Sequence, residues 1–561
     1  MPLVLCAVLA VLGISCGSDD PTGPDLTGIR HLIVSPSSPV YLSPGRQLPL
    51  HAAALDSNGL AMDIEFSQLT WASDKPGTAK VNGEGIVTAM ADAVPGTRVV
   101  VRGTAHADVF SSVEIVIVPQ PVEVSIDPAS IIMTPGGDIV LIGRSGDPQG
   151  IAYDHQLFRF TSSNQAVATV LKTGCFGDNC IENANITVVH GIVPGTSIIT
   201  AQAAGLSSTS TIEVRQVSFV PSTVSAGGSQ TCAFSTDGVL FCWGSTIART
   251  PIGVPIPAGM TQVQSGTGAQ PFDDTCGIDA AGLVQCWAFY PIPRLITPVS
   301  TTIHFNHLAV GSSSSCGIDT NGDTWCWGEN AWGQLGNGTK TASVSPVQVL
   351  GGHVFVRLAV HGFHACGLTA VGAAYCWGSN LNGELGSPGV VNACAPYDCS
   401  TTPQAVSGGH VFSSIVAGSY HTCAIDDGGA AWCWGAADKR GNGGTPTAEP
   451  SDLVLVSGNH TWGQVTAGSD HTCGVTDLDQ GYCWGANPDG RSGQIPTVDP
   501  GPFLTPNLII GGHSFTHIEA GGGHTCAFAS DGLYCFGENA WGQVGIVTQN
   551  AQSPVKVNGQ P

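Results

Sequence analysis

Fourteen of the chain's 20 cysteines fall into seven ordered pairs, and that regularity restricts the fold more than any other feature. The pairs are Cys232 with Cys242, Cys276 with Cys286, Cys316 with Cys326, Cys366 with Cys376, Cys423 with Cys433, Cys473 with Cys483, and Cys526 with Cys535. Nine residues separate the members of six pairs and eight separate the last. First cysteines recur after 44, 40, 50, 57, 50 and 53 residues, a period that marks serial supersecondary units. Asp237-Gly238, Asn321-Gly322, Asp427-Gly428 and Asp531-Gly532 lie midway between their cysteines and read as hairpin turns between alternating apolar residues. Flanking stretches such as 412–416 supply further strands. Four short strands per unit, seven times over, predict a seven-bladed β-propeller across 217–561.

Two cysteines placed across one hairpin ladder have Cα atoms close enough to bridge. Zinc would need ligands two to four residues apart in two converging pairs, and no such spacing occurs. The seven pairs are therefore expected to be disulfides. Cys175 with Cys180 and Cys394 with Cys399 are expected as two further local bridges, leaving only Cys6 and Cys16 in the N-terminal segment. No cofactor or metal is expected.

The segment Trp327-Gly328-Glu329-Asn330-Ala331-Trp332-Gly333-Gln334-Leu335-Gly336 resembles the signature of the regulator-of-chromosome-condensation repeat. It recurs from Phe536 to Gly545, and with changes at 377–386. Ala417-Gly418-Ser419-Tyr420-His421-Thr422-Cys423 matches the upstream half of the same repeat. The first two units lack the Gly-Gln-Leu-Gly segment. The resemblance implies a ring of seven blades. One family member is a nucleotide-exchange factor for a nuclear GTPase, and a bacterial one is a secreted β-lactamase inhibitor. The second precedent implies binding through one propeller face.

Two other segments precede the propeller. Val34-Ser35-Pro36 with Pro44-Gly45 recurs as Ile126-Asp127-Pro128 with Pro135-Gly136, and Val94-Pro95-Gly96-Thr97 as Val193-Pro194-Gly195-Thr196. Alternation such as Leu48-Pro49-Leu50-His51-Ala52 is the pattern of half-buried strands, and short strands around a large aromatic describe a β-sandwich. Trp71, Ala79, Val81, Gly85 and Val87 resemble the group 2 bacterial immunoglobulin-like family. Residues 26–119 are read as one such domain. Residues 120–216 are read as a divergent second one, with Phe160 in place of the tryptophan. The whole chain is expected to be all-β.

Compartment and partners follow from charge and from the first residues. Paired cysteines suit an oxidising environment. Residues 1–25 read as a leader and linker: an apolar stretch, then Cys16 followed by Gly-Ser-Asp-Asp. Leu12-Gly13-Ile14-Ser15-Cys16 resembles a bacterial lipoprotein signal, which implies lipid on Cys16, ahead of plain secretion or a short uncleaved anchor. A net charge of −23, with 18 Lys+Arg against 41 Asp+Glu, excludes a general nucleic-acid footprint.

Several other residue types could carry chemistry. His364, His421, His471 and His524 sit two positions before a first cysteine, where the other units carry Gln230, Asp274 and Ser314. They are read as bonding a neighbouring blade's backbone, ahead of a converging metal or anion site. The tryptophans after the second cysteines are read as inter-blade packing. Trp332, Trp462 and Trp541 lie in Gly-rich stretches and are the candidate interface residues. Asp319-Thr-Asn321-Gly-Asp323 reads as a turn, because a calcium loop needs a later glutamate. Asp426-Asp427 and Asp273-Asp274 also read as turn residues, and no catalytic residue is assigned. The expectation is an exported, monomeric binding scaffold at the cell surface, presenting loops to a protein or polysaccharide. An extracellular polysaccharide-acting enzyme and a structural envelope element are the alternatives.

Overall fold

The computed structural model describes residues 29–561 apart from 36–39, 63–67, 107–108, 119–122, 147–151, 154–157, 174, 177–178, 181–185, 204, 245–247, 255, 257–258, 267–274, 289–293, 296–298, 389–393, 395–396, 445–450, 495–500 and 548–549. Among these the chain is all-β, with two three-residue 3-10 turns, Pro221–Thr223 and Ala437–Lys439, and no α-helix. Among the described residues no helix is long and apolar enough to cross a membrane. Cys16 lies outside the described residues. The chain divides into two compact units. One ends at Ile131 and resumes over Ile139–Glu213; the other comprises Ile132–Asp138 and Val214–Pro561.

In the first unit the alternating stretches become strands that share a core. His31–Ser35 pairs antiparallel with His51–Leu55, setting Val34 opposite Ala52. Val109–Ile117 lies between Arg98–His106 and, in parallel, Val40–Leu42. Alternate residues (Leu32, Val34, Ala54, Val101, Val113, Ile115) are buried in one cluster, as the period-two pattern requires. Trp71 packs against that cluster only partly buried, as a lid, and does not fill its centre. Gly85 and Gly103 make the room, since a Cβ on either would stand 3.1 or 2.9 Å from the indole. Farther along, Asp138–Gly146 pairs with Glu123–Asp127, and Ala168–Thr173 with Ile186–Gly191. Phe160 is buried and stacks on Phe158 at 5.9 Å. Cys175 stands opposite Cys180 in a two-stranded ladder; their side chains lie outside the described residues.

The second unit holds six successive four-stranded antiparallel sheets, preceded by four strands (Ser225–Ala226, Gln230–Phe234, Leu240–Gly244 and Ala248–Gly253) that end a longer sheet, so that seven groups of four strands follow one another along the chain. The fifth is typical: Phe412–Ala417, His421–Asp426, Ala431–Gly435 and Val454–Leu455. A short earlier segment joins the first group, with Met133 opposite Ile252 and the Thr134 N–H donating to Pro251 O at 3.2 Å. Local chemistry fixes the central hairpins. Asp319 Oδ1 accepts the N–H groups of Asn321 (2.8 Å) and Asp323 (2.9 Å), while Oδ2 accepts Trp325 Nε1–H at 3.2 Å. Asp426 does the same with Gly428, Ala430 and Trp432. Both carboxylates are spent on turn formation, as their sequence context suggested.

Candidate functional site

The site begins with the cysteine register. In each hairpin the first cysteine is directly opposite the second. All seven pairs are bridged: Cys232 to Cys242, Cys276 to Cys286, Cys316 to Cys326, Cys366 to Cys376, Cys423 to Cys433, Cys473 to Cys483, and Cys526 to Cys535. Their Cα atoms lie 4.0–4.1 Å apart. That approach is nearer the ~4.5 Å of the narrow antiparallel pair than the ~5.5 Å of the wide one. The Cys526 to Cys535 bridge keeps this register with one residue fewer between its ends, because its turn is shorter by that residue. Cys326, Cys376, Cys483 and Cys535 are fully buried; among all fourteen only Cys286, at 8%, is more than 2% exposed. Cys394 is also bridged to Cys399.

Side chains then join each group to the next. His364 Nε2 meets Thr422 Oγ1 at 2.8 Å, His421 meets Thr472 at 2.7 Å, His471 meets Thr525 at 2.8 Å, and His524 meets Thr231 at 2.7 Å. Gln230 Nε2 donates to Thr275 Oγ1 at 2.7 Å, so the amide occupies the imidazole's place in the first group. The last group thus bonds the first. Thr422, Thr231 and Thr525 each donate to a loop carbonyl (Glu384, Gln543 and Arg491), so these hydroxyls accept from Nε2–H. Burial holds these imidazoles far below their ordinary range: His364 and His524 are pushed down to about 3, His421 and His471 well below the usual value. The expected bond to a neighbour's backbone is corrected here. The partner is a threonine hydroxyl, and no group of three metal-ligating side chains exists among the described residues.

The tryptophans form a second set of seams. Trp377 Nε1–H donates to Gln334 O (3.0 Å), Trp434 to Glu384 O (2.7 Å), Trp484 to Lys439 O (2.9 Å) and Trp243 to Gln543 O (3.0 Å). Each acceptor belongs to the loop that follows the central hairpin of the preceding group, the last again serving the first. Gly336, Gly386 and Gly441 have positive φ and lie against these indoles, where a Cβ would come within 2.8 Å of Nε1.

The three candidate interface tryptophans divide. Trp462 is 4% exposed, so its assignment to an interface is overturned. It opens the strand Trp462–Ala467 and occupies the core position that Phe305, Phe355, Phe412 and Phe515 hold in other groups. Trp541 is 46% exposed. Trp332, half-buried, lies 6.3 Å from the ring of Phe363 and 5.6 Å from that of Tyr397. Phe363 is 42% and Tyr397 54% exposed. The bridge from Cys394 to Cys399 brackets Tyr397, whose N–H donates to Cys394 O, and Asn380 N–H donates to the adjacent Asp398 O at 2.9 Å. The patch therefore draws on two adjacent groups and is held by covalent and main-chain ties. Phe363 and Tyr397 were missed from sequence; the insertion containing two extra cysteines was the available signal.

The first strands of the seven groups also line a cavity of about 380 Å³. Its polar wall includes Gln262, Gln264, His361, Thr466 and Glu519. Several of these cap the free edge of the neighbouring strand: Gln262 Oε1 accepts Leu308 N–H, Gln264 Oε1 accepts Val310 N–H, and Thr466 Oγ1 accepts Ala520 N–H.

Family models described as regulator of chromosome condensation (RCC1) repeat match residues 321–368, 372–425 and 412–441. This part of the chain is a repeat domain of that type. Human WBSCR16 is similar in structure, with 15% identity, a TM-score of 0.47, and coverage of 59% of this chain and 91% of that one. Yeast RCC1 (Prp20), solved with Kap60 bound, gives 16% identity, a TM-score of 0.49, and coverage of 61% and 85%. The ectodomain of the Physcomitrella patens receptor kinase CR4 gives 22%, 0.38, 56% and 72%. No curated protein matches the chain.

Proposed function

We propose that the chain is an exported binding scaffold: a seven-bladed propeller, stapled by disulfides and preceded by two immunoglobulin-like modules, that engages a protein through the Trp332–Phe363–Tyr397 patch. The observation that carries the reading is that patch. Large aromatic side chains stand exposed together on bridged, hydrogen-bonded loops, so ordering them on contact sacrifices little entropy. The paired cysteines support an oxidising compartment, and Cys16 would supply a lipid anchor at the bacterial surface.

The test is affinity capture from envelope and culture fractions with the oxidised full chain, beside a triple variant carrying Trp332→Ala, Phe363→Ser and Tyr397→Ser. A partner retained by the parent and lost by a folded variant supports the reading. Equal retention by both removes the patch from it. Retention of glycan alone would move the partner to the polysaccharide class.

A further inference from the structure

The repeat makes departures from itself informative. Where the first strand of each group turns into the second, six groups place a glycine: Gly227, Gly266, Gly311, Gly418, Gly468 and Gly521. The shared turn is visible in the bonds Gly311 N–H to Ser314 O, Gly418 N–H to His421 O and Gly521 N–H to His524 O. A Cβ at Gly418, Gly468 or Gly521 would strike the carbonyl of the next group's glycine, so the repeat has a steric reason for glycine there. The fourth group alone carries a side chain at this position, His361, paired across the turn with His364. Two residues earlier, the cavity-facing position holds Ser225, Gln264, Ala309, Ala359, Val416 and Thr466 in six groups, and Glu519 in the seventh. Among the described lining residues of the cavity Glu519 is the one acid, and none is lysine or arginine.

Neither group is consumed by the fold. His361 is 4% exposed; its Nδ1 lies 3.4 Å from Ser419 Oγ, and its Nε2 is buried with no hydrogen-bond partner among the described residues. Burial lowers its basicity, to about 4, so the ring is neutral at physiological pH. Glu519 keeps 32% of its side chain exposed while accepting from Thr466 Oγ1 at 3.2 Å and Gln464 Nε2 at 3.5 Å, with His517 Nε2 also 3.5 Å away. A cavity of about 380 Å³ lies within the size range of small-ligand sites.

We propose that this cavity is a second binding site, distinct from the aromatic patch, for a small organic ammonium ion that pairs its charge with Glu519 and hydrogen-bonds His361 Nε2. One carboxylate with no lysine or arginine among the described lining residues favours positive charge, and a neutral imidazole adds a directional polar contact. A polyamine and an amino sugar both carry this chemistry.

Calorimetric titration of the oxidised full chain with spermidine, glucosamine and glucose tests it. One or both amines should bind saturably at one site per chain, and glucose should not. Glu519→Gln, which keeps the shape and the Thr466 contact, should weaken the amine about 10-fold or more. His361→Gly, the residue of the other six groups, should also weaken it. Asp427→Asn, which removes an exposed turn carboxylate, should leave it unchanged and so separates the site from general attraction to an acidic protein. Absence of amine binding, equal binding of glucose, or an unchanged affinity in folded Glu519→Gln would each overturn the proposal.

Discussion

The seam between the fourth and fifth groups and the seam between the first and second use the same parts list unequally. At the former, Trp434 Nε1–H and Thr422 Oγ1–H both donate to Glu384 O, and His364 donates to Thr422. At the latter, Gln230 replaces the imidazole, and Trp287 Nε1 is buried with no partner among the described residues. The first group's sequence lacks the Gly-Gln-Leu-Gly segment, and residues 245–247 of its loop lie outside the described residues. The comparison teaches that one loop carbonyl, Glu384 O, organises the seam between the fourth and fifth groups, while Trp287 keeps its buried place with no described acceptor.

The largest expected effect comes from acid, which protonates the histidine seams and finds no imidazole at the Gln230 seam. His364 and His524 have folded values of about 3, against 6.5 for an ordinary imidazole. Protonation therefore favours the unfolded chain. The stability is complete above about pH 6.5 and drains away as pH falls toward 3. At pH 4.5 each imidazole should withdraw roughly 2–3 kcal/mol, or about 5 for the two. Thermal melting between pH 7 and 4.5 should show this. His524→Gln, copying Gln230, should recover about half of that two-histidine loss; no recovery would break the equivalence of amide and imidazole.

Removing one staple should have a smaller effect. The double change Cys423→Ser with Cys433→Ser is expected to destabilise by ~2–3 kcal/mol in the chain-entropy picture of a short loop. Chemical denaturation measures it. The corresponding change at Cys276 and Cys286, where the seam has fewer bonds, should give an earlier, separable transition. Smallest is the indole test. Trp434→Phe removes a donor and should cost about 1 kcal/mol, whereas Trp287→Phe should be close to neutral. Phe536, in the same position of the seventh group, shows that the phenyl ring fits there. Equal losses at the two sites would refute the account of the loop carbonyl.

Much of this was legible in the sequence. The cysteine spacing carried the ladder register, because only directly opposed residues of a short hairpin can be bridged. The asparagine- and aspartate-bearing turns carried the hairpins. The histidines' partners were not legible, because Thr422 and Thr472 belong to the next group, 58 and 51 residues away. Trp462 was misread from its Gly-rich surroundings, although it precedes Cys473 by 11 residues, as Phe412 precedes Cys423 and Phe515 precedes Cys526. Counting from the cysteine, not judging composition, identifies it as core. The patch escaped because Phe363 and Tyr397 meet Trp332 only when neighbouring groups are side by side.

The central claim is that paired sulfurs lock serial hairpins in a protein that works outside the reducing cytosol. Its most direct test is thiol alkylation of the native-source protein, unfolded without reductant, followed by peptide mass mapping. The account predicts unalkylated, linked peptides joining Cys232 to Cys242, Cys316 to Cys326, Cys366 to Cys376, and so on through Cys473 to Cys483 and Cys526 to Cys535. Predominantly alkylated cysteines would contradict it.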